Sequence, residues 1–541
     1  MAKRIHFIGI CGVAMSALAL AFKREGWKVT GSDVGFYPPV STHLKDAGVN
    51  YYAGWHQDKM IAGGAPDLVV VGNVASSHNP EWLYVQEHRL NYKSYPEMIR
   101  EYFIKKNSIV CAGTYGKSTS TAVLTWILKE AKFDPSYMFG GIMISPTVGA
   151  IHELPLQQGD SAGVWHAKPL PSAEMSNSNW SVTEGDEYKA SRWDTGPKFK
   201  YYSPTHLLLT SVVWDHADVY PTEELYIDAF KKLVAAVPGN GIKVISEKVV
   251  PIVISIEPQW RAEKSLDPTG QGIPPLAATL GRNDSKMITY GKNPNNTYVY
   301  TNVIQSKNVL EFEICHEQKK YSIKTSCLGE YMADNLTGCF ALCHTIGIAS
   351  DKIISAIASF PGMKRRLEKR YANGVTVFDD IAHSPTKARA VLQTLREVYV
   401  RPLPTLPFQG EEGAASPPFK GEIQRGSRQS KIYAVFEPNA GNRRPQTKSW
   451  YDNAFAAADE VIIPRLTKIK HDTNDKEEPF DGSKLAKIIC TTHSATKYIE
   501  KDEELLGYLE QKIQPGDVVV FMGSHGFRGM IEALVNAISK S

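Results

Sequence analysis

The segment GTYGKSTST, Gly113 to Thr121, holds the residues best suited to phosphate chemistry. A short apolar run, SIVCA (Ser108 to Ala112), precedes it, and an amphipathic stretch with Val123, Leu124, Ile127, Leu128 and Ala131 follows. Strand, glycine turn, helix is the order that turns backbone N–H groups and a helix N-terminus toward phosphate. In that setting Lys117 reaches the β- and γ-phosphates and the Ser118 hydroxyl joins Mg²⁺. The formal phosphate-loop pattern also carries a glycine five residues before Gly116, where this chain has Cys111. A plain glycine-rich strand–helix turn is therefore the competing reading.

Acids and a histidine follow at the ends of later apolar runs. Glu184, Asp186 and Glu187 lie in SVTEGDEYKA, and DHAD (Asp215 to Asp218) follows LLLTSVVW. Loops at the carboxyl ends of parallel strands converge on one crevice. A glutamate and a histidine delivered there could complete a Mg²⁺ site begun by Ser118 and the phosphates. The alternative is that these are solvated loop residues. KRRLEKR (Lys364 to Arg370) supplies arginines, whose planar fork binds two phosphoryl oxygens at once, or else a solvated linker face. FDDIAHSPT (Phe378 to Thr386) ends a strand with two acids before His383. Asp380 could hold a ribose or orient Lys117, and helix capping is the simpler role for these residues.

The elements that position these groups follow from the pattern of apolar runs. Residues 1–104 alternate strand and helix: RIHFIGICG, then a helix over Val13 to Lys23, a strand over Trp27 to Gly31 running on through VTGSD, and DLVVVG. Such alternation predicts a parallel, doubly wound sheet. GICGVAM resembles a dinucleotide fingerprint without its full glycine spacing, and Asp33 follows where an acid meets a ribose. An NAD site and a structural turn are equally open there. Residues 105–362 start at the phosphate loop, contain a Gly/Ser/Pro-rich excursion (Leu154 to Ser181), and end with a helix over Asn335 to Ile348. Residues 363–541 carry VTVFDD, KIYAVFEP, EVIIP and DVVVFMG, the strands of a second doubly wound sheet. PFQGE and PFKGE repeat inside a mobile insertion of about residues 402–430, with no part in the chemistry.

Composition agrees with this plan. At 541 residues the chain needs roughly three domains. It is 43% hydrophobic and 22% charged, with a formal net charge of +4, so nothing demands nucleic acid, a membrane or an obligate protein partner. Seven scattered cysteines without a CxxC pair imply free thiols in a reducing cytoplasm. The basic start MAKRIH and the apolar run after it mimic a signal peptide, but Gly9 and Gly12 break that run into strand, turn and helix.

Taken in order, these motifs resemble the Mur ligase family, the ATP-dependent ligases of peptidoglycan synthesis, over nearly the whole chain. The resemblance implies an α/β protein of three domains: an N-terminal Rossmann-like domain, a central P-loop-type ATPase domain and a C-terminal Rossmann-like domain. Gly9, Gly12 and Asp33 would then serve the uridine nucleotide of UDP-N-acetylmuramate. Gly113, Thr114, Gly116, Lys117, Ser118, Thr119 and Asn335 would bind ATP. Ser118, Glu184 and His216 would hold Mg²⁺, Arg366 would meet the γ-phosphate and Asp380 the nucleotide. The last domain would bind an amino acid or short peptide, with His383, Arg443 and Arg444 as its acceptor residues. VTGSDVGFYPPVSTHL and GDEYKASRWDTGPKFKYYSP are similar to the branch that adds L-alanyl-γ-D-glutamyl-meso-diaminopimelate in peptidoglycan recycling. GMKRRLE and DDIAHSPT are shared with the L-alanine-adding branch, which is the alternative. A non-catalytic UDP-sugar-binding protein is the reading of another class. The chain departs from the family pattern at Tyr115, at Tyr331 and Met332 in GEYMADN, and at NAGNRRPQT (Asn439 to Thr447).

Overall fold

The computed structural model describes residues 2–36, 40–144, 170–216, 219–254, 286–400, 429–468 and 478–540. Residues 402–428 of the expected insertion, 154–169 of the excursion, and Asp218 lie outside the described residues. Contacts divide the chain into two compact units, Met1–Ile304 with Val309–Met363, and Gln305–Asn308 with Lys364–Ser541.

The first unit holds two sheets. The first contains β1 (Arg4–Ile8), β2 (Lys28–Asp33), β3 (Asn50–Ala53), β4 (Leu68–Val71) and β5 (Tyr92–Ser94), in the order β3-β2-β1-β4-β5. All its pairings are parallel. β4 is LVVV, buried at every position, as a strand covered on both faces must be. The second sheet opens with β6 (Asn107–Ala112), followed by β7 (Ser136–Met138), β8 (Ala173–Glu174), β9 (Trp180–Gly185) and β10 (His206–Leu209). It continues with β11 (Ile242–Ser246), β12 (Lys286–Gly291), β13 (Tyr298–Gln305), β14 (Leu310–His316) and β15 (Lys319–Thr325).

The ten strands run in the order β15-β14-β13-β12-β11-β10-β6-β9-β7-β8. β6 is flanked in parallel by β9 on one side and β10 on the other. The chain fills the β9 side before crossing to β10, so the segments after β6, β9 and β10 leave one edge at a topological switch point. The helix Lys117–Glu130 packs beneath this edge and is buried from Ser118 to Leu128.

The second unit is built on β16 (Glu368–Asn373), β17 (Val375–Asp380), β18 (Ile432–Glu437), β19 (Glu460–Ile463), β20 (Thr496–Tyr498) and β21 (Val518–Gly523). Their order is β16-β17-β21-β18-β19-β20, parallel except for the edge strand β16. Six consecutive buried residues in β18 and in β21 mark these as its covered central strands.

Three elements differ from the sequence reading. The helix expected from Asn335 spans Glu330–Thr345, because Gly329 makes the turn and Met332 already packs in the core. GEYMADN is thus helical from Glu330 onward. Part of KRRLEKR forms the antiparallel edge strand β16, where Arg370 pairs with Asp379 and Glu532. The β14–β15 hairpin was unread because its alternating charges mimic a solvated stretch. All seven cysteines are free thiols. No helix among the described residues is long and apolar enough to cross a membrane.

Candidate active site

Two glycines shape the turn between β6 and its helix. Gly113 has φ 138 and Gly116 has φ 81, a region that favours glycine. A side chain at Gly113 would also meet the Ser211 backbone at 2.8 Å, and one at Gly116 would collide with the Asn335 amide. Thr114 is buried, and its hydroxyl donates to Val213 O at 2.8 Å, within hydrogen-bond reach of Tyr226. The turn is therefore pinned to the segment after β10. Tyr115, at the first departure, donates its N–H to Ser211 Oγ at 2.8 Å. Thr119 is buried one residue past Ser118.

The acids divide their work. Register sets Cys111 beside Glu184, so Glu184 ends its strand next to the loop. Its Oε1 accepts from Ser118 Oγ at 2.7 Å and its Oε2 from Gly140 N at 2.6 Å. Lys117 does not face this carboxylate. Its Nζ lies 3.0 Å from Oε1 and 2.9 Å from Oε2 of Glu187. His216 Nε2 approaches the same carboxylate at 3.5 Å. Asp186 is held by Lys198 at 2.5 Å and by Tyr188 N at 2.9 Å.

His216 sits at φ 57, rare for a residue with a side chain. The turn is maintained by Asp215, whose Oδ1 accepts from His216 N at 2.8 Å, while Val219 N and Tyr220 N donate to the His216 carbonyl. Strain of this kind persists where the surroundings over-determine it.

Charges here sustain one another. Burial alone would lower the Lys117 ammonium, yet Glu187, Asp186 and Glu184 hold it above its ordinary value. Burial opposes ionisation of Glu187, and Lys117 and His216 reverse this to hold it below the carboxylate norm. His216, disfavoured by burial, is raised by its hydrogen bond to Glu187 and by Asp215. Asp186 stays well below the usual carboxylate range because Lys198 and Lys117 outweigh its burial.

At the first sheet, Gly9 N donates to Ser32 O at 2.8 Å and Gly12 precedes the helix Val13–Arg24. Asp33 accepts from Cys11 N at 2.8 Å and Val34 N at 2.7 Å, so its carboxylate braces the glycine turn. Beneath it lies buried Glu81, which no sequence signal marked. It accepts from Ser32, from Tyr52 at 2.7 Å and from His56 N at 2.8 Å.

In the second unit, Arg366 lies between two residues of positive φ, Arg365 and Leu367. Asp380 is buried and accepts from Leu367 N and Ala382 N, both at 2.7 Å. Burial raises its carboxyl despite Arg366, so it shapes the arginine loop. Helix capping falls to Ser384, which accepts from Lys387 N, and not to Asp380 or His383. His383 Nε2 is 3.3 Å from Lys387 Nζ, and its carbonyl accepts from Asn439 N. Arg443 is buried and donates to Phe480 O at 2.9 Å and Thr467 O at 2.7 Å. Those bonds engage Nε and Nη1 of its guanidinium, and Arg444 is half-buried.

Ser118 Oγ and Glu184 Oε1 are hard oxygen donors side by side, suited to Mg²⁺, which binds through one or two protein oxygens plus substrate phosphates. No cluster of three or more His, Cys, Asp or Glu among the described residues forms a complete metal cage. Of the expected trio, Ser118 and Glu184 are in direct contact, and His216 faces the neighbouring acid Glu187. Glu187 stood among the acids noted in the sequence, but nothing there singled it out as the lysine's partner.

Residues 4–106 match the description "Mur ligase family, catalytic domain", and residues 111–257 match "Mur ligase middle domain". The chain is 27% identical over 541 residues to the UDP-N-acetylmuramate–L-alanyl-γ-D-glutamyl-meso-2,6-diaminoheptandioate ligase of Escherichia coli (strain K12), covering 99% of this chain and 98% of that one. It is 28% identical over 546 residues to the UDP-N-acetylmuramate–L-alanine ligase of Xanthobacter autotrophicus, covering 98% and 96%. A murein peptide ligase structure from Psychrobacter arcticus superposes with TM-score 0.65 at 22% identity, covering 100% of this chain and 99% of that one. A UDP-N-acetylmuramate–alanine ligase structure from Thermotoga maritima gives TM-score 0.68 at 21% identity, covering 99% of both chains. These two structural likenesses carry the fold.

Proposed function

We propose that the chain is a Mur ligase, an ATP-dependent, ADP-forming enzyme that joins the carboxylate of UDP-N-acetylmuramate to the amine of L-alanyl-γ-D-glutamyl-meso-diaminopimelate. The observation that carries this reading is the cluster of Lys117, Ser118, Glu184, Glu187 and His216 at the switch point of the second sheet. Residues 1–104 bind the UDP-sugar through the turn at Gly9, Gly12 and Asp33. Residues 105–362 bind ATP, and residues 363–541 bind the acceptor.

The chemistry is activation followed by amide formation. The muramate carboxylate oxygen attacks the γ-phosphorus of ATP; the new O–P bond replaces the bridging O–P bond, and ADP leaves. The peptide amine then attacks the acyl carbon, loses its proton, and inorganic phosphate departs with the C–O electron pair. Lys117 stabilises the charge that builds on the transferring phosphoryl oxygens. Ser118 and Glu184 would hold Mg²⁺, which neutralises phosphate charge.

The test is an ATPase and ligation assay with UDP-N-acetylmuramate and amines from L-alanine to the tripeptide. The reading predicts ADP release that depends on both UDP-N-acetylmuramate and the tripeptide, with the product mass of their amide. ADP release with L-alanine alone would favour the second reading, an L-alanine ligase, which the segment NAGNRRPQT and the L-alanine-adding relatives support.

A further inference from the structure

We propose that Glu187 is a positioning residue that holds Lys117 away from incoming phosphate in the free protein and releases it when nucleotide and cation arrive together. This rests on the reading of the Gly113–Ser118 turn as a triphosphate site. A lysine ammonium has three N–H donors. Around Lys117 stand three acceptors: Glu187 Oε1 at 3.0 Å, Glu187 Oε2 at 2.9 Å and Thr114 O at 3.3 Å. In this pose its bonding capacity is directed into the protein.

Glu187 is poorly placed to follow the lysine outward. It is buried, and its carbonyl accepts from Tyr220 OH at 2.6 Å, which anchors the residue from behind. Nor is Asp186 placed to substitute, since Lys198 and Tyr188 N already engage it. The remaining neighbour is His216, whose Nε2 is 3.5 Å away and can keep the Glu187 charge compensated after Lys117 leaves. A polyanionic nucleotide arriving alone must therefore separate a buried ion pair while facing Glu184, Asp186 and Glu187. Arriving with a divalent cation it still parts that pair, but the cation offsets the carboxylates it then faces. Glu187 thereby couples nucleotide affinity to the cation.

The test is calorimetric titration of ADP and of a non-hydrolysable ATP analogue, in EDTA and in Mg²⁺, on the full chain. Glu187→Gln should tighten metal-free binding by about tenfold or more and shrink the gain from Mg²⁺ by a similar factor. Ligation by that variant should lose kcat without a rise in the KM for ATP, because the lysine is free but no longer set. Asp186→Asn, which removes an equal charge but leaves the Lys117 contact, should change metal-free affinity by less than about threefold. Glu187→Asp, which keeps the charge and retracts it from Lys117, should move in the same direction and decides the matter if the Gln variant fails to fold. Metal-free affinities of the Glu187 variants close to wild type, or an Asp186→Asn effect equal to that of Glu187→Gln, would overturn the proposal. Absence of nucleotide binding by the wild type, or binding indifferent to Lys117→Ala in Mg²⁺, would instead overturn the assignment of the loop.

Discussion

His216 presents Nε2 to Oε1 of Glu187 at 3.5 Å, from a backbone held at φ 57. The pairing explains why a strained turn follows β10. With Asp215 Oδ1 accepting the His216 N–H, the turn aims the ring at the carboxylate that also holds Lys117. One buried acid thus serves two cations from different loops.

The pair makes the titration of His216 a direct probe of this arrangement. Burial lowers an imidazole, but Glu187 and Asp215 raise His216 above its ordinary 6.5. A group raised on folding contributes stability that is complete below the unfolded value and is lost as pH rises through the folded one. Glu187, held below its ordinary 4.5, contributes above that value and loses its contribution as pH falls. The joint contribution is therefore fullest between about pH 4.5 and 6.5. NMR titration of His216 should show a raised pKa in the wild type and a lower one in Glu187→Gln. Equal values in the two proteins would remove Glu187 as the cause.

Lys117 is half-buried and paired with the buried Glu187, so its loss reaches stability as well as activity. Lys117→Ala should abolish ligation and also destabilise by about 1–3 kcal/mol, the cost of leaving a buried acid short of a partner. Adding Glu187→Gln to it should recover much of that stability and none of the activity. Denaturant unfolding of the four proteins in the cycle measures the coupling. Strictly additive losses would show that the two side chains do not act as a pair.

Ser118→Ala and Glu184→Gln should each raise the Mg²⁺ concentration needed for half-maximal ligation by about tenfold or more, since each removes one hard oxygen donor. A metal dependence unchanged in both variants would move the cation elsewhere in the loop cluster.

The two arginines expected to clamp the acceptor should separate. Arg443→Ala removes two hydrogen bonds from a buried guanidinium to Phe480 O and Thr467 O. It should destabilise by about 2–4 kcal/mol, seen as a lower melting temperature. Arg444→Ala should raise the KM for the peptide by about tenfold if its fork holds a carboxylate. A peptide KM within about twofold of wild type would shift acceptor recognition toward His383 and Lys387.

Much of this protein was legible in the residue order because its local rules are strong. Apolar runs, four of them closing on glycine, predicted β1, β4, β6, β17, β18 and β21 and thus the α/β class. GTYGKSTST located the glycine turn between β6 and the helix Lys117–Glu130, since its glycines break the strand and its hydroxyl residues and lysine open the helix. Family likeness then supplied the ligase chemistry, which no single stretch could carry.

Partnership was decided only by the tertiary structure. Glu184 and Glu187 are three residues apart, and each is a plausible partner for Lys117 or Ser118. The β6–β9 register sets Glu184 beside the loop, and the turn after β9 carries Glu187 to Lys117 and His216. Arg443 reads as a surface cation until Thr467 and Phe480, 24 and 37 residues away, bring their carbonyls to it. The start of the helix Glu330–Thr345 depends on the core that Met332 enters. Local sequence determines backbone preference and the charge available. Which charge meets which is set by strand register and burial, and both arise only when distant segments pack.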